Sequence, residues 1–354
     1  MHIVHIIPTL NFGGAERFVV DLVNHRHPSL RHSLVLFFPV MPLKEELHAQ
    51  TTITVVQKRG QMSIHLFTDL KRILRDLRPD IVHTHLFGGD FWGRVAAHRL
   101  GIPIVTTEHN VNMDEGYLKT GIKRWLRHYS TVYTCPSQAV ADFMYSAYHV
   151  NKKSVQIIRH GIDLSRFTHL PPAFSQEQIR FLLLGRLAPQ KGHTIAILAL
   201  SLLKNFSWIV DIVGGGPLRE HLNVLVKEKK LHDRVRFLPP TPNTPTIFTK
   251  ADVLLMPSLW EGLGITAMEA MACGRLVIGS RVGGIPEIIH DGVTGLLAPP
   301  GIIEEWVQQI RWCFMHREGA RTIAKLGQEH ARKEFGIQDM VQAYERLYAN
   351  LTST

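Results

Sequence analysis

Short apolar runs alternate along this chain with stretches whose apolar residues recur at helical spacing. The alternation occurs twice. In the first half, strands are predicted at His2–Ile7, Ser33–Phe38, Thr52–Val56, Ile81–Thr84, Ile104–Thr107, Thr131–Thr134 and Val155–Ile158. Helices are predicted between them at Ala15–Asn24, Ile64–Leu77, Asp90–Leu100, Gly121–Tyr129 and Gln138–Ala147. Such alternation specifies a parallel sheet with helices on both faces. Right-handed crossovers then gather the C-terminal strand ends on one edge, where ligands bind.

An irregular stretch follows from Arg159 to Gln178, with the Pro171-Pro172 pair, and reads as a linker. The pattern then restarts. Strands are predicted at Ile179–Leu184, Trp208–Val213, Val235–Leu238, Val253–Met256, Leu276–Ile278 and Gly295–Leu297. Helices are predicted at His193–Leu203, Pro217–Lys229, Ile265–Ala272 and from Ile303 onward. The expected fold class is α/β: two Rossmann-like, doubly wound domains, residues 1–165 and 166–336, facing each other across a cleft, followed by a closing helix in 337–354.

Composition narrows the function without fixing it. A 354-residue chain with 45% hydrophobic and 20% charged residues builds real cores and is not disordered. Its formal charge of +10 favours acidic partners such as phosphorylated ligands, nucleic acid or an anionic membrane. Cys135, Cys273 and Cys313 are far apart, which disfavours a disulfide scaffold or a cysteine zinc site, and their odd number suits a reducing cytoplasm. The start at Met1 reads as a first strand and not a signal peptide, and no apolar run approaches the roughly 18 residues of a membrane helix.

The candidate chemistry lies at strand ends. Gly13 and Gly14 join the first strand to the first helix and would let backbone approach a phosphate. They do not form the dinucleotide-binding G-x-G-x-x-G fingerprint, which disfavours a nicotinamide oxidoreductase. After the first strand of the second half, Gly185-Arg186 and Lys191-Gly192 place two cations that can converge on one anion. Gly214-Gly215-Gly216-Pro217 would let a flat group lie against backbone. Glu261, before a helix, and Glu269, inside it, offer carboxylates to paired hydroxyls, and the intervening Gly262 and Gly264 expose helix-start N–H groups. His109 follows a strand end, where imidazole can bind a hydroxyl or steady developing charge. His83 and His85 are taken to face opposite sides of their strand and to be a poor metal pair.

Together these pieces resemble a GT-B glycosyltransferase, specifically the retaining family 4 (glycosyl transferases group 1). The resemblance spans nearly the whole chain. It rests on the E-x7-E pair Glu261 and Glu269, the Arg186/Lys191 loop, Gly13-Gly14, and the downstream Gly283-Gly284-Ile-Pro286-Glu287 and Asp291-Gly292-Val-Thr-Gly295. Arg275 stands where the family usually has proline, and Pro239 where a glycine commonly follows the leucine.

The resemblance implies roles. Arg186 and Lys191 would hold the donor diphosphate, and Glu269 the ribose. Glu261 would hold the donor sugar, assisted by backbone at Leu263, Gly264 and Ile265. Gly13 and Gly14 would close on diphosphate and acceptor, with His109 beside the sugar. Gly214 and Leu238 would flank the base. The last helix, about Gln338–Asn350, would return to the first domain.

The function implied is sugar transfer, with retention and without a metal, from a nucleoside-diphosphate sugar. UDP is the family's most frequent donor nucleotide, with GDP and ADP as the other choices. The acceptor would be a glycan or lipid-linked molecule of polysaccharide or glycolipid biosynthesis. No cofactor beyond that co-substrate is expected. A GT-B-type UDP-sugar epimerase is the alternative, needing acid–base groups at the sugar and no acceptor. A nucleic-acid-binding protein is a remote third reading, since aromatics do not interleave with the basic residues. Cations and bulky apolar residues in Tyr117–Tyr129 raise peripheral contact with an anionic membrane, at the inner face of the cytoplasmic membrane.

Overall fold

The computed structural model describes residues 1–56, 64–168 and 171–352. The chain divides into two compact units. One comprises Met1–Gly161 with Ile337–Thr354, the other Ile162–Gly336.

The first unit is built on a parallel sheet of seven strands in the order β3-β2-β1-β4-β5-β6-β7. The strands are β1 (His2–Ile7), β2 (Arg31–Leu36), β3 (Thr52–Val55), β4 (Ile81–His85), β5 (Ile104–Thr107), β6 (Val132–Cys135) and β7 (Val155–Ile157). The helices between them are α1 (Gly14–Asn24), α2 (Ile64–Leu77), α3 (Leu86–His98), α4 (Tyr117–Leu126) and α5 (Gln138–Phe143), which runs into a π turn at Met144–Tyr148. β1 and β4 are buried along their whole length, as expected for strands covered on both faces. Their order reverses between β1 and β4, so the loop after β1 and the end of β4 meet at a topological switch point.

The second unit repeats the plan with six parallel strands ordered β10-β9-β8-β11-β12-β13. These are β8 (Ile179–Leu184), β9 (Trp208–Val213), β10 (Val235–Leu238), β11 (Val253–Met256), β12 (Leu276–Ser280) and β13 (Leu296–Ala298). Around them lie α6 (His193–Ser201), α7 (Arg219–Glu228), α8 (Thr244–Phe248), α9 (Ile265–Ala272), α10 (Ile285–Ile288), α11 (Ile303–Met315) and α12 (Arg317–Glu334). Here the order reverses between β8 and β11, beside the loops that carry Arg186, Lys191 and Glu261.

The last helix, α13 (Ile337–Thr352), belongs to the first unit. Met340, Val341, Tyr344, Leu347 and Tyr348 join the cluster of Ile3, Ile7, Phe18 and Val19.

Several element bounds differ from the sequence reading. α3 begins at Leu86 and not Asp90, so Leu86, Phe87, Gly88 and Gly89 belong to the helix that follows β4 directly. At Gly89 an added Cβ would lie 2.4 Å from the Ile6 carbonyl, so the helix packs backbone-close on β1. α4 begins at Tyr117 and ends at Leu126. The predicted linker from Arg159 to Gln178 is for the most part folded into the second unit. Ile162, Phe167 and Phe174 are buried in its cores, and Ile162 bridges Gly336. Its His169 and Leu170 lie outside the described residues. All three cysteines are buried, and none is in a disulfide among the described residues.

Candidate functional site

In the second unit, the loops after β8, β9, β11 and β12 come together because glycines let backbone approach backbone. Gly192 has φ +62°, and a Cβ there would sit 1.9 Å from the Pro257 carbonyl. Gly214 has φ +151° and abuts the Gly185 carbonyl, while Gly216 abuts that of Leu187. Gly283 has φ +52°, and its Cβ would fall 1.8 Å from the Glu261 carbonyl. Side chains are excluded at these positions by contact as well as by conformation. The Leu187 amide donates to the Gly215 carbonyl at 2.9 Å, and the Gly214 amide to Leu238 at 3.2 Å. The loops after β8, β9, β11 and β12 are thereby locked to one another.

On this frame Lys191 Nζ donates to Glu261 Oε2 at 2.5 Å, and Ser258 Oγ reaches the same oxygen at 3.3 Å. Both side chains are shielded, Lys191 at 22% exposure and Glu261 at 11%, so the pair is screened less than a surface bridge. Arg186 is exposed and makes no ion pair among the described residues. Glu261 thus faces Lys191, while Arg186 has no such partner among the described residues.

Gly264, with φ +101°, caps α9. Glu269 follows one turn into the helix, buried, and accepts from Thr244 Oγ1 at 3.3 Å. Leu263 is buried and Ile265 half-buried. Arg275, where proline was expected, is buried and donates to the Ala251 and Pro171 carbonyls. It ties the chain after α9 to the segment leading into β8, which is a structural role and leaves the glutamates untouched.

Sequence reasoning missed three neighbours of this site. Gln190 donates to the Trp260 carbonyl at 3.1 Å and fixes the Glu261 loop. Ser258 and His193 line a small pocket with Lys191 and Thr266. Burial pushes His193 down to about 4, so it is a neutral imidazole. Its place directly after Lys191-Gly192 was the available signal.

In the first unit, Gly13 caps α1, and a Cβ there would meet the Glu16 carboxylate at 2.4 Å. Thr9 Oγ1 donates to Glu16 at 3.3 Å. The helix start therefore already carries a carboxylate in its first turn, the placement its dipole favours.

His109 follows β5, and here the structure overturns one sequence reading. Residues two apart on a strand share a face, so His83 and His85 point the same way, with ring centroids 4.1 Å apart. His5, in register with His83 on β1, lies against both. The nitrogens of His5, His83 and His85 fall within 4.8 Å of one another, a spacing a metal could use. Hydrogen bonds already occupy them. His83 holds the Tyr348 hydroxyl at 2.7 Å and Thr107 Oγ1 at 2.6 Å. His5 meets His32 and His85, and His85 meets His109. His160 stacks on Phe18, its ring centroid 5.4 Å from that of His109, and neither of its ring nitrogens has a hydrogen-bond partner among the described residues. Burial lowers His109 well below its usual range, reinforced by His160 and Lys123.

The predicted membrane face is also altered. Lys123 is buried in an ionic cluster, donating to Glu108 at 2.8 Å and to the Tyr148 hydroxyl at 3.0 Å, with Glu115 at 3.2 Å. It cannot present charge to a bilayer. Tyr117, Leu118 and Trp125 are exposed on α4, with Lys119 and Arg124. Among the described residues, no helix is long and apolar enough to cross a membrane.

Comparison with known proteins follows the same division. Residues 12–166 match the family model described as Glycosyltransferase Family 4, and residues 167–330 that described as Glycosyl transferases group 1. A 2-deoxystreptamine glucosyltransferase from Streptomyces kanamyceticus is 28% identical over 301 residues, covering 76% of this chain and 77% of that protein. A D-inositol 3-phosphate glycosyltransferase from Saccharomonospora viridis is 27% identical over 285 residues, covering 72% of this chain. That match spans only 66% of the S. viridis protein's own length. Among solved structures, HepE from Anabaena in complex with UDP and glucose superposes with a TM-score of 0.88 at 21% identity, covering 99% and 100% of the two chains. A glycosyltransferase from Rickettsia africae gives a TM-score of 0.84 at 19% identity, covering 99% and 98%. With both halves matched in order, the chain belongs to the GT-B glycosyltransferases of the group 1 and family 4 type.

Proposed function

We propose that this protein transfers a sugar, with retention at the anomeric carbon, from a UDP-sugar to a hydroxyl of a glycan or lipid-linked acceptor. The observation that carries the reading is the shielded Lys191–Glu261 pair beside Arg186, which has no ion pair among the described residues, on glycine-locked loops at the second unit's switch point. Cleaving the bond between sugar and diphosphate leaves negative charge on the phosphate oxygen and an oxocarbenium-like sugar. Arg186 and Lys191 neutralise the departing diphosphate without a metal ion. Glu261 accepts hydroxyls of the donor sugar, with the backbone at Gly262, Leu263, Gly264 and Ile265 alongside. Glu269 accepts the ribose hydroxyls, and Gly214 and Leu238 flank the base. The acceptor oxygen attacks from the face the diphosphate leaves, and the diphosphate takes the acceptor's proton. His109 is the residue we assign to contact with the donor sugar. Gly13 and Gly14 admit the acceptor close to backbone, where the Glu16 carboxylate suits a hydroxyl.

Support for UDP comes from HepE, whose structures hold UDP and UDP-glucose. For a lipid-linked acceptor, support comes from the exposed Tyr117, Leu118 and Trp125 with Lys119 and Arg124, a face suited to the inner surface of an anionic membrane. Co-sedimentation with vesicles that did not depend on anionic lipid would remove that support.

The test is a metal-free thermal-shift titration with UDP, GDP, ADP and NAD, repeated for UDP on Glu269→Ala. Ligand that binds only the folded state raises the melting temperature. The expected result is a shift with UDP that the variant loses. No shift with any nucleoside diphosphate, or one with NAD alone, would overturn the proposal.

A further inference from the structure

We propose that His85, His5 and His32 are positioning residues that set which ring nitrogen of His109 carries its proton. The significance for catalysis rests on the role given to His109 above; the inference about the ring itself does not.

The four imidazoles form one unbranched chain. His32 Nδ1 meets His5 Nε2 at 2.8 Å, His5 Nδ1 meets His85 Nε2 at 3.1 Å, and His85 Nδ1 meets His109 Nε2 at 3.1 Å. Every link joins a δ nitrogen to an ε nitrogen. The two outer nitrogens, His32 Nε2 and His109 Nδ1, are buried and have no hydrogen-bond partner among the described residues. His83 stands beside the chain and not in it, because Tyr348 and Thr107 hold its nitrogens.

A neutral imidazole carries one N–H and one bare nitrogen. Each link needs one hydrogen, since two would collide and none would set lone pairs against each other. If His32 is protonated on Nδ1, His5 must be bare on Nε2 and protonated on Nδ1, and the same follows for His85 and His109. If His32 is protonated on Nε2, all four are. Only these two arrangements satisfy every link. In one, His109 presents an N–H at Nδ1 and donates to an oxygen; in the other it presents a lone pair and accepts from a hydroxyl. Passing from the first to the second moves one proton across each of the three links, takes one proton up from water at His32 Nε2 and releases one to water from His109 Nδ1; the reverse passage runs these steps backward.

Burial keeps the rings neutral, as the argument requires. It pushes His5 down to about 3 and His32 to about 2, and holds His85 and His109 well below their usual range. Few charges face the chain: Arg26 near His32 and Lys123 near His109, both of which disfavour an added proton. His2, itself lowered by burial, adds to this at His5 and His32.

The test is long-range proton–nitrogen correlation on the ligand-free, full-length protein labelled with 15N-histidine, at pH 7.5, with rings assigned by single substitutions. The expected result is four neutral rings sharing the same protonated nitrogen. Any one ring in the opposite tautomer, or any one an imidazolium, overturns the proposal. In His85→Phe, which cuts His109 from the chain, the His109 tautomer populations should change while His5 and His32 stay matched. An unchanged His109 spectrum in that variant also overturns it. In an active enzyme the same variant should lose about tenfold in kcat with donor KM within about twofold. Matched tautomers in a protein without transferase activity would sink the function proposed above and leave this inference standing.

Discussion

Lys191 Nζ and Glu261 Oε2 lie 2.5 Å apart, so the cation assigned to the diphosphate is held by the carboxylate assigned to the sugar. On the roles proposed above, donor entry would exchange partners on both, Lys191 turning to phosphate as Glu261 turns to hydroxyls. Glu261→Gln should free Lys191 and bind UDP at least as tightly as the parent, within about fivefold, while transfer falls about 10²-fold or more. Isothermal titration alongside a turnover assay measures both. A parallel loss of UDP affinity and turnover would show that the pair does not exchange. Lys191→Ala and Arg186→Ala should each cost on the order of 3–4 kcal/mol in the transition state.

Gly283 makes a prediction about shape. Its φ is +52°, and a Cβ would meet the Glu261 carbonyl at 1.8 Å. Gly283→Ala should cost about 2 kcal/mol or more, combining the left-handed penalty with displacement of the glutamate loop. Gly301 has φ +76° but no atom near its would-be Cβ, so Gly301→Ala should cost only the conformational part, about 1 kcal/mol. Denaturant melts of the two variants give the comparison. Equal losses would mean that the contact at Glu261 relaxes freely.

Acid should unfold the first unit early. Burial holds His5, His32 and His160 at about 3, 2 and 3, and His83 and His85 well below normal. The unfolded chain binds protons at these groups near pH 6.5 and the native one does not, so stability rises with pH. It is intact above about pH 6.5 and is lost as pH falls from there toward about 3. Each such group contributes up to roughly 1.4 kcal/mol per pH unit, which for this set rivals a whole domain's stability within one to two units. Near-UV circular dichroism should show loss of native signal before pH 5. A flat profile down to pH 4.5 would contradict the assignment of these rings as neutral and buried.

Lys123 should behave as a core residue. It neutralises Glu108 and Glu115, at 2.8 and 3.2 Å. Lys123→Met leaves two buried carboxylates without their cation and should cost on the order of 3–5 kcal/mol. Lys119→Glu, on the exposed side of α4, should change stability by no more than about 0.5 kcal/mol and weaken binding to anionic vesicles. If Lys123→Met weakened vesicle binding and left the melting temperature alone, the burial described for it would be wrong.

What could be read from the sequence was local. Strand ends, the glycines after them, and Glu261 and Glu269 at fixed spacing lie within short windows, where pattern and chemistry speak directly. The Lys191–Glu261 contact joins residues 70 apart and could not be read this way. The histidine chain draws on β1, β2, β4 and the end of β5, so it exists only once the sheet order is known. For His83 and His85 the two-residue repeat of a strand did carry the answer, and it was read in the wrong sense. Lys123 looked like its neighbours Lys119 and Arg124 because helical periodicity gives a face, but not which acids lie beneath it.

The return of α13 to the first unit bears on how the protein is made. Tyr344 and Tyr348 are fully buried against β1 and β4, and the Tyr348 hydroxyl holds His83. During synthesis, residues 1–161 emerge with that part of their core unfilled. The intervening 175 residues from Ile162 to Gly336 are translated in the meantime. The later-made unit can therefore close while the earlier one still waits, inverting the usual N-terminal-first order. A ribosome stalled before Ile337 would carry an open first sheet, with its apolar face available to chaperones.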